Sequence, residues 1–573
     1  MRRFIISAAP DSLCAPGRCV LSKKLSASVK LIAFLAHLAL LCALMLVSGP
    51  LRAQQTMAER PPMGWNDWAH YRCGFTAQTI LDNAKALVNS GLSSLGYDTV
   101  TVDDCWMQKE RDAAGNLQPD PERFPQGVKP VADAVHAMGL RFGIYEDAGF
   151  KTCGGYAGSG QPDGGGHDHF LQDANLFASW GVDYLKLDGC NMYVPKGASA
   201  AEIYRKAYAA QSGALRATRR PIVFSESAPA YFLDTPDWYD VLTWVREYGS
   251  LWREGWDIAT FKPQRADEPR FHSVLWNYAY NLPLGRFQRP GNWNDPDFLI
   301  VGDRGMTIPE SRTEMALWAM MSAPLILSSD VGSLSPEAIA ILSNKRLIAI
   351  DQDALGKMAT LLRRTPASDV LLKRLADGAF AVAILNRGEE PLSIEFGRSD
   401  LGFSENAACR MTIENLWTGN RNPGGANLRS VVASHDTEIW RVRPTPSCGK
   451  PARVGAITAI VNLSKHDIDS YSRCLSGSGV ASCAGDRSES WRVRADGSLA
   501  SEGRCLTAVG DEAVLQDCAG TAVQRWRYTL TGNLVNVSED GCLSSADSTE
   551  KPTQLRIEVC GHNEQEQIWS LPN

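Results

Sequence analysis

The sequence predicts an α/β fold, a (β/α)8 barrel followed by an antiparallel β domain and a threefold-repeated module, and three observations carry that prediction. Short β-rich runs alternate with amphipathic helical stretches over residues 57–353, the helical periodicity gives way to short alternating runs over 354–445, and one cysteine-and-tryptophan pattern recurs three times over 454–573. A chain of 573 residues also exceeds what one hydrophobic core organises, so successive domains are expected.

Ahead of the barrel, Arg2, Arg3, Lys23, Lys24 and Lys30 precede an apolar run from Leu31 to Val47 that ends near Leu51-Arg-Ala53. That order of charge, apolar middle and small exit residue marks residues 1–53 as a signal peptide and predicts a secreted or periplasmic protein, with no stable membrane insertion after cleavage. The apolar run is also near the lower length limit for spanning a bilayer, so an uncleaved anchor is the other reading. Of the 15 cysteines, Cys14, Cys19 and Cys42 fall in this leader, and the even number remaining suits disulfides in an oxidising compartment. No Cys-x-x-Cys is present, and His167-Asp-His169 lacks further ligands at useful spacing, so neither metal nor cofactor is expected. The net charge of −6 is spread without blocks, which gives no electrostatic case for nucleic acid and leaves neutral partners as the expectation.

Within the barrel, residues 97–102, 140–145, 182–187, 221–224 and 241–245 read as strands, and 76–91 and 173–180 as helices. Chemistry in such a barrel sits at the carboxyl ends of the strands. The chain holds 64 acidic residues, so only position can single one out. In Val182-Asp-Tyr-Leu-Lys-Leu-Asp-Gly-Cys190, strand alternation turns Tyr184, Lys186 and Asp188 toward the barrel axis, with Asp188 at the carboxyl end. A carboxylate there beside an ammonium stays ionised, as a nucleophile requires. Asp103-Asp-Cys-Trp106 and Tyr145-Glu-Asp147 bring acids, a tryptophan and a tyrosine to neighbouring strand ends. The stretch 245–258, expected to be a loop, is rich in aromatics and charges and includes Arg253 and Asp257. Aromatic rings line sugar sites because the apolar face of a pyranose packs on them.

After the barrel, residues 370–374, 379–386 and 438–442 read as strands of the second domain, and Pro446 and Pro451 lie in a linker over 446–453. The third domain repeats Cys474-Leu475 with Cys483 and Trp491, Cys505-Leu506 with Cys518 and Trp526, and Cys542-Leu543 with Cys560 and Trp569. Each unit is able to close its own hairpin with a disulfide and send one tryptophan to a shared core. The endings Gln524-Arg-Trp526 and Gln567-Ile-Trp569 resemble the Gln-x-Trp motif of ricin-type β-trefoil lectins. That resemblance implies polysaccharide binding, although Ser476, Thr507 and Ser544 stand where binding-competent trefoils usually carry Asp, so a stabilising appendage is the other reading.

A second resemblance covers residues 60–445. Pro61-Pro-Met-Gly-Trp-Asn-Asp-Trp68, Asp103-Asp-Cys-Trp106, Gly143-Ile-Tyr-Glu-Asp-Ala-Gly149, Lys151-Thr-Cys-Gly-Gly-Tyr156, Phe177-Ala-Ser-Trp-Gly-Val-Asp-Tyr-Leu-Lys-Leu-Asp188 and Gly291-Asn-Trp-Asn-Asp-Pro-Asp297 resemble, in order, the melibiase-type family of α-galactosidases and α-N-acetylgalactosaminidases. The resemblance implies an antiparallel β-sandwich as second domain and a retaining exo-glycosidase acting on an oligosaccharide or glycoconjugate, in which Asp188 attacks the anomeric carbon and Asp257 is the acid/base. It also implies that Asp103 and Asp104 hold distal hydroxyls of the sugar, with Trp68, Tyr145, Cys153, Lys186, Tyr231, Arg253 and Asp297 completing the pocket. Family disulfides map onto Cys73 with Cys105 and Cys153 with Cys190; a further pair would fall at Glu226 and Gly249, where both cysteines are missing, and Cys409 and Cys448 remain as a pair. In the loop after the fifth strand, Ser227 and Ala230 resemble the α-N-acetylgalactosaminidases, since small residues leave room for a 2-acetamido group. A one-residue shift there would put Glu226 in the pocket and favour unsubstituted α-galactosides, the alternative substrate. A carbohydrate-binding protein with a decayed barrel is disfavoured, since both candidate catalytic acids are retained.

Overall fold

The computed structural model describes residues 57–162, 168–403, 408–425, 427–459, 473–477, 479–545, 554–561 and 564–572. The leader with its three cysteines, and His167, lie outside the described residues. Eight strands form the barrel: β1 (Met63–Asn66), β2 (Thr99–Val102), β3 (Arg141–Asp147), β4 (Tyr184–Asp188), β5 (Val223–Glu226), β6 (Leu251–Arg253), β7 (Trp293–Asp295) and β8 (Leu325–Leu327). They pair in parallel in the order β7-β6-β5-β4-β3-β2-β1-β8, and a parallel bridge between Leu299 and Leu327 closes the ring. β1 and β2 approach closely because Gly64 has no side chain; a Cβ there would lie 2.1 Å from the Thr99 carbonyl oxygen.

The helices begin and end where local chemistry directs. Thr76 caps Ala77–Asn89 in a reciprocal arrangement with Thr79, and Gly181, at φ 83°, ends Phe170–Trp180 in the left-handed conformation that glycine tolerates. One expectation is corrected. Residues 241–245 are not a strand: Trp238–Trp244 is a helix, and Trp238, Val241, Leu242 and Val245 are all buried. A short continuous apolar run does not distinguish a buried strand from a buried helix, and here the 3–4 residue spacing prevails. The sixth strand lies further on, at Leu251–Arg253, inside the stretch expected to be a loop.

The second domain pairs a six-stranded antiparallel sheet with a two-stranded one, Leu392–Gly397 against Asn427–Val432, over a core that includes Phe380, Phe396 and Trp440. It packs on the barrel helix Ile308–Met321, where Arg312 pairs with Asp436 and Glu438, and buried Lys373 donates to the Ala319 carbonyl. In the third domain, Cys474–Cys483, Cys505–Cys518 and Cys542–Cys560 each close one repeat. The indole N–H of Trp491, Trp526 and Trp569 donates to the carbonyl of Leu475, Leu506 and Leu543 respectively, the same bond three times over. Gln524 accepts from the backbone of Ala519 and Gly520, and Glu489 accepts from Ala484 and Gly485 in the unit that lacks the Gln. The trefoil is fastened to the barrel through Arg286, on the connection that leads into β7. Arg286 donates to the carbonyls of Leu530 and Thr531 and lies over the rings of Phe287, Tyr239 and Tyr528.

Candidate active site

One inward-facing layer of the barrel is polar where most barrels are apolar: Asn66, Thr101, Tyr184, Lys186, Ser225, Arg253 and Asp295 line it with Phe298 and Ile326. The charges in this layer are paired. Lys186 donates to Asp103 Oδ2 at 2.8 Å, and Asn66 donates to the same oxygen at 2.7 Å. Burial would depress the Lys186 ammonium, but the charges of Asp103 and Asp188 outweigh it and hold its pKa above the ordinary value. It therefore stays cationic beneath the strand ends.

Asp188 ends β4, half-buried, and is gripped from two sides. Tyr231 donates to its Oδ1 at 2.5 Å and Tyr145 to its Oδ2 at 3.2 Å, while the Gly189 N–H reaches Oδ1 at 3.0 Å. Burial, and then the charges of Asp188 and Asp147, push both phenols well above their ordinary pKa, so both keep the proton they donate. The Cys153–Cys190 disulfide forms one wall: Cys153 Sγ lies 3.7 Å from Asp188 Oδ2, and Cys190 Sγ 3.1 Å from the Tyr231 hydroxyl. The Gly154 N–H next to that wall donates to Asp104 Oδ2 at 2.7 Å, which ties the Asp103-Asp104 pair to the same side. Cys73–Cys105 and Cys409–Cys448 are also bonded, as expected.

Arg253, at the end of β6, joins the other carboxylates. It reaches Asp257 Oδ1 and Asp297 Oδ1, each at 3.1 Å. The Asp257 side chain is 67% exposed, whereas Asp297 is buried. Loss of water raises an Asp carboxyl, yet at Asp257 the Arg253 charge prevails and the pKa sits below the ordinary value; at deeply buried Asp297 burial prevails and lifts it to about 7. Asp297 also holds an uncommon φ of 85° while accepting from the Ile258 N–H at 2.7 Å, so the loop carrying Asp257 is pinned from below. The same loop is tied to the far side of the mouth by the Phe261 N–H, which donates to the Ala69 carbonyl at 2.7 Å. Trp68 stands there beside Asn66, with Arg72 over its ring.

In the loop after β5, the Ser227 N–H donates to the Leu187 carbonyl at 3.1 Å, and a 3-10 turn over Ala228–Phe232 then swings Tyr231 onto Asp188. Ser227 and Ala230 are the residues of this turn around Tyr231, the first buried and the second half-buried. Glu226 faces the other way. A Cβ on Gly249 would lie 2.3 Å from Glu226 Oε1, so the carboxyl fills the space between the two positions where the resemblance expects a disulfide. The structure thus links Asp188 with Tyr145, Tyr231 and Cys153, Lys186 with Asp103, and Arg253 with Asp257 and Asp297, while Ser227 and Ala230 lie beside Tyr231 and Trp68 beside Asn66. The expectation missed two supporting groups, Asn66 and Asp67, which accepts from the Asp103 N–H; Asp147, expected at its strand end, accepts from Gly149 and Cys190. Asn66 and Asp147 were legible as strand-terminal polar residues on β1 and β3; Asp67 acts through backbone, which leaves no mark in a sequence.

An eight-stranded barrel with paired acids at its strand ends, a β-sandwich behind it and a trefoil appended is the architecture of a carbohydrate-active hydrolase. Comparison with known proteins gives the family. The alpha galactosidase A profile matches residues 60–353, the alpha galactosidase C-terminal beta sandwich domain residues 365–442, and the ricin-type beta-trefoil lectin domain residues 457–569. An alpha-galactosidase A of Aspergillus niger is 39% identical over 535 residues, spanning 91% of this chain and 93% of that one. An alpha-N-acetylgalactosaminidase of Gallus gallus is 36% identical over 403 residues, 68% of this chain and 94% of the other. The crystal structure of alpha-galactosidase I from Mortierella vinacea superposes with a TM-score of 0.60 at 30% identity, covering 68% of this chain and 98% of that one. The chain belongs to the alpha galactosidase A family and is a glycoside hydrolase.

Proposed function

We propose that this enzyme is a retaining exo-glycosidase for terminal α-linked galactose-type residues, with Asp188 as nucleophile and Asp257 as acid/base, and that its pocket prefers α-N-acetylgalactosamine. The observation that carries the mechanism is the Asp188 carboxylate at the end of β4, held by two tyrosine hydroxyls that keep their protons. Asp188 attacks the anomeric carbon as the glycosidic C–O bond breaks, and Asp257 gives its proton to the departing oxygen. Asp257 then takes a proton from water, whose oxygen attacks the same carbon and frees Asp188, so two inversions give net retention. Before the first step Asp257 must carry a proton. Substrate covering its exposed face removes water, and the desolvation favours the protonated form. Asp103 and Asp104, both buried, serve as acceptors for sugar hydroxyls, with Trp68 at the rim.

The preference for a 2-acetamido sugar rests on the small side chains of Ser227 and Ala230 and on Glu226 lying against Gly249. The Gallus gallus relative is named for that sugar, whereas the Aspergillus niger relative is named for α-galactosidase activity, which supports unsubstituted α-galactosides as the second reading. Hydrolysis of aryl α-N-acetylgalactosaminide and aryl α-galactoside by wild type, Asp188→Ala and the double variant Ser227→Glu with Ala230→Leu separates the readings. The expected result is a faster N-acetylgalactosaminide reaction in wild type, near-complete loss in Asp188→Ala, and reversal of preference in the double variant. Wild type favouring the galactoside overturns the preference, and an active Asp188→Ala overturns the mechanism. The proposal also includes export, supported by the six disulfides, and polysaccharide contact through the trefoil, supported by its lectin-type fold.

A further inference from the structure

The residue immediately before Asp257 is a tryptophan, and its side chain stands 45% exposed, whereas the core tryptophans of the barrel are buried. Its backbone is unusually well held for so exposed a residue. The Trp256 carbonyl accepts three hydrogen bonds, from Arg253 Nη2 at 2.9 Å, Tyr280 Oη at 3.0 Å and Asn277 Nδ2 at 3.2 Å. Gly255 makes this possible: a Cβ there would lie 2.3 Å from the Tyr280 ring, so only glycine lets that tyrosine come beneath the loop. Two residues further on, Ile258 is fixed to Asp297, and Phe261 is fixed to Ala69 on the opposite side of the mouth. The loop therefore crosses the strand ends as a strap anchored at three places, and it presents a large apolar ring next to the carboxylate assigned to the departing oxygen.

An exposed indole costs hydrophobic free energy unless something covers it part of the time. Its nearest functional neighbour is Asp257, whose proton goes to the oxygen shared with the leaving group, so whatever that oxygen carries lies over this part of the loop. We propose that Trp256 is the platform for the leaving group, stacking the apolar face of the first pyranose of the acceptor glycan, so that the enzyme selects its substrates on the far side of the scissile bond as well as in the pocket. This rests on Asp257 being the acid/base. The pocket reads the terminal sugar through buried acids and the Ser227–Tyr231 turn, while Trp256 reads the next ring by shape alone, since every pyranose with an apolar face packs on an indole.

The test compares kcat/KM of wild type, Trp256→Ala and Trp256→Phe on two substrates that share the donor sugar wild type cuts: its methyl α-glycoside, and the same sugar α-linked to a pyranose disaccharide. Expected is a drop of about 10-fold in Trp256→Ala on the oligosaccharide, corresponding to roughly 1.4 kcal/mol of stacking, with the methyl glycoside changed less than about 2-fold. Trp256→Phe restores most of the loss. Equal loss on both substrates means the ring only supports the loop, and no loss on either means it touches no substrate; each result overturns the proposal. Asp257→Ala, assayed on the methyl glycoside in parallel, tests the acid/base assignment separately: retained activity there removes the premise, whatever Trp256→Ala does.

Discussion

At the scale of single residues, the site works by dividing protons among carboxyls of similar type. Asp188 accepts from three donors, and substitution by Ala removes the proposed attacking atom; kcat is expected to fall on the order of 10⁴-fold with an unchanged circular-dichroism spectrum. Asp257, the proposed acid/base, is held below the ordinary pKa by Arg253, which outweighs the partial loss of water at the barrel mouth, so the protonated form the proposed first step needs is lost as pH rises through that lowered value. Arg253→Met removes the lowering charge, and the alkaline limb of kcat/KM is expected to move to higher pH even as the rate falls; a limb that stays in place would assign it to another group. Asp188 was legible because strand alternation and strand end are properties of sequence spacing. Asp257 was not legible by that route, since an exposed Asp in a loop has no periodicity, and only the family resemblance singled it out.

At the scale of elements, strand and helix identity followed wherever β-branched residues or caps made the period plain, as in Thr99–Val102 and the Thr76-capped helix. It failed at 241–245, where a single Thr among four apolar residues leaves the period undefined. Thr307 and Glu310 cap Ile308–Met321 reciprocally, on the helix that bears the sandwich, and Thr307→Ala is expected to cost about 1 kcal/mol in chemical denaturation. The β5–β6 junction offers a test with a pH sign. Burial holds the Glu226 carboxyl well above its ordinary value of 4.5, so the folded chain keeps a proton that the unfolded chain releases above that pH. Stability is therefore full below about pH 4.5 and declines as pH rises toward the folded value. Glu226→Gln cannot ionise in either state. Its melting temperature is expected to match wild type near pH 4.5 and to exceed it by about 2–4 °C near pH 7.5, as thermal unfolding at the two pH values will show.

At the scale of the whole molecule, three domains meet through specific contacts, and Arg286 is one fastening of the trefoil to the barrel. Arg286→Ala is expected to speed proteolysis between sandwich and trefoil several-fold while leaving hydrolysis of small aryl glycosides within about 2-fold of wild type, because Arg286 precedes β7 and the site residues lie at or beyond strand carboxyl ends. The domain order was readable from composition and repeat spacing, but this fastening was not, since a lone Arg on a connection carries no signal of its partner. The wall of the site has a consequence in time and place. One sulfur of Cys153–Cys190 touches the candidate nucleophile and the other touches the tyrosine that orients it, so the constellation is complete only after that bond has formed. Reducing that bond is expected to free both groups at once and lower activity, which hydrolysis assays before and after mild thiol treatment will check. On the proposed export route, oxidation outside the cytoplasm is the step that completes the site.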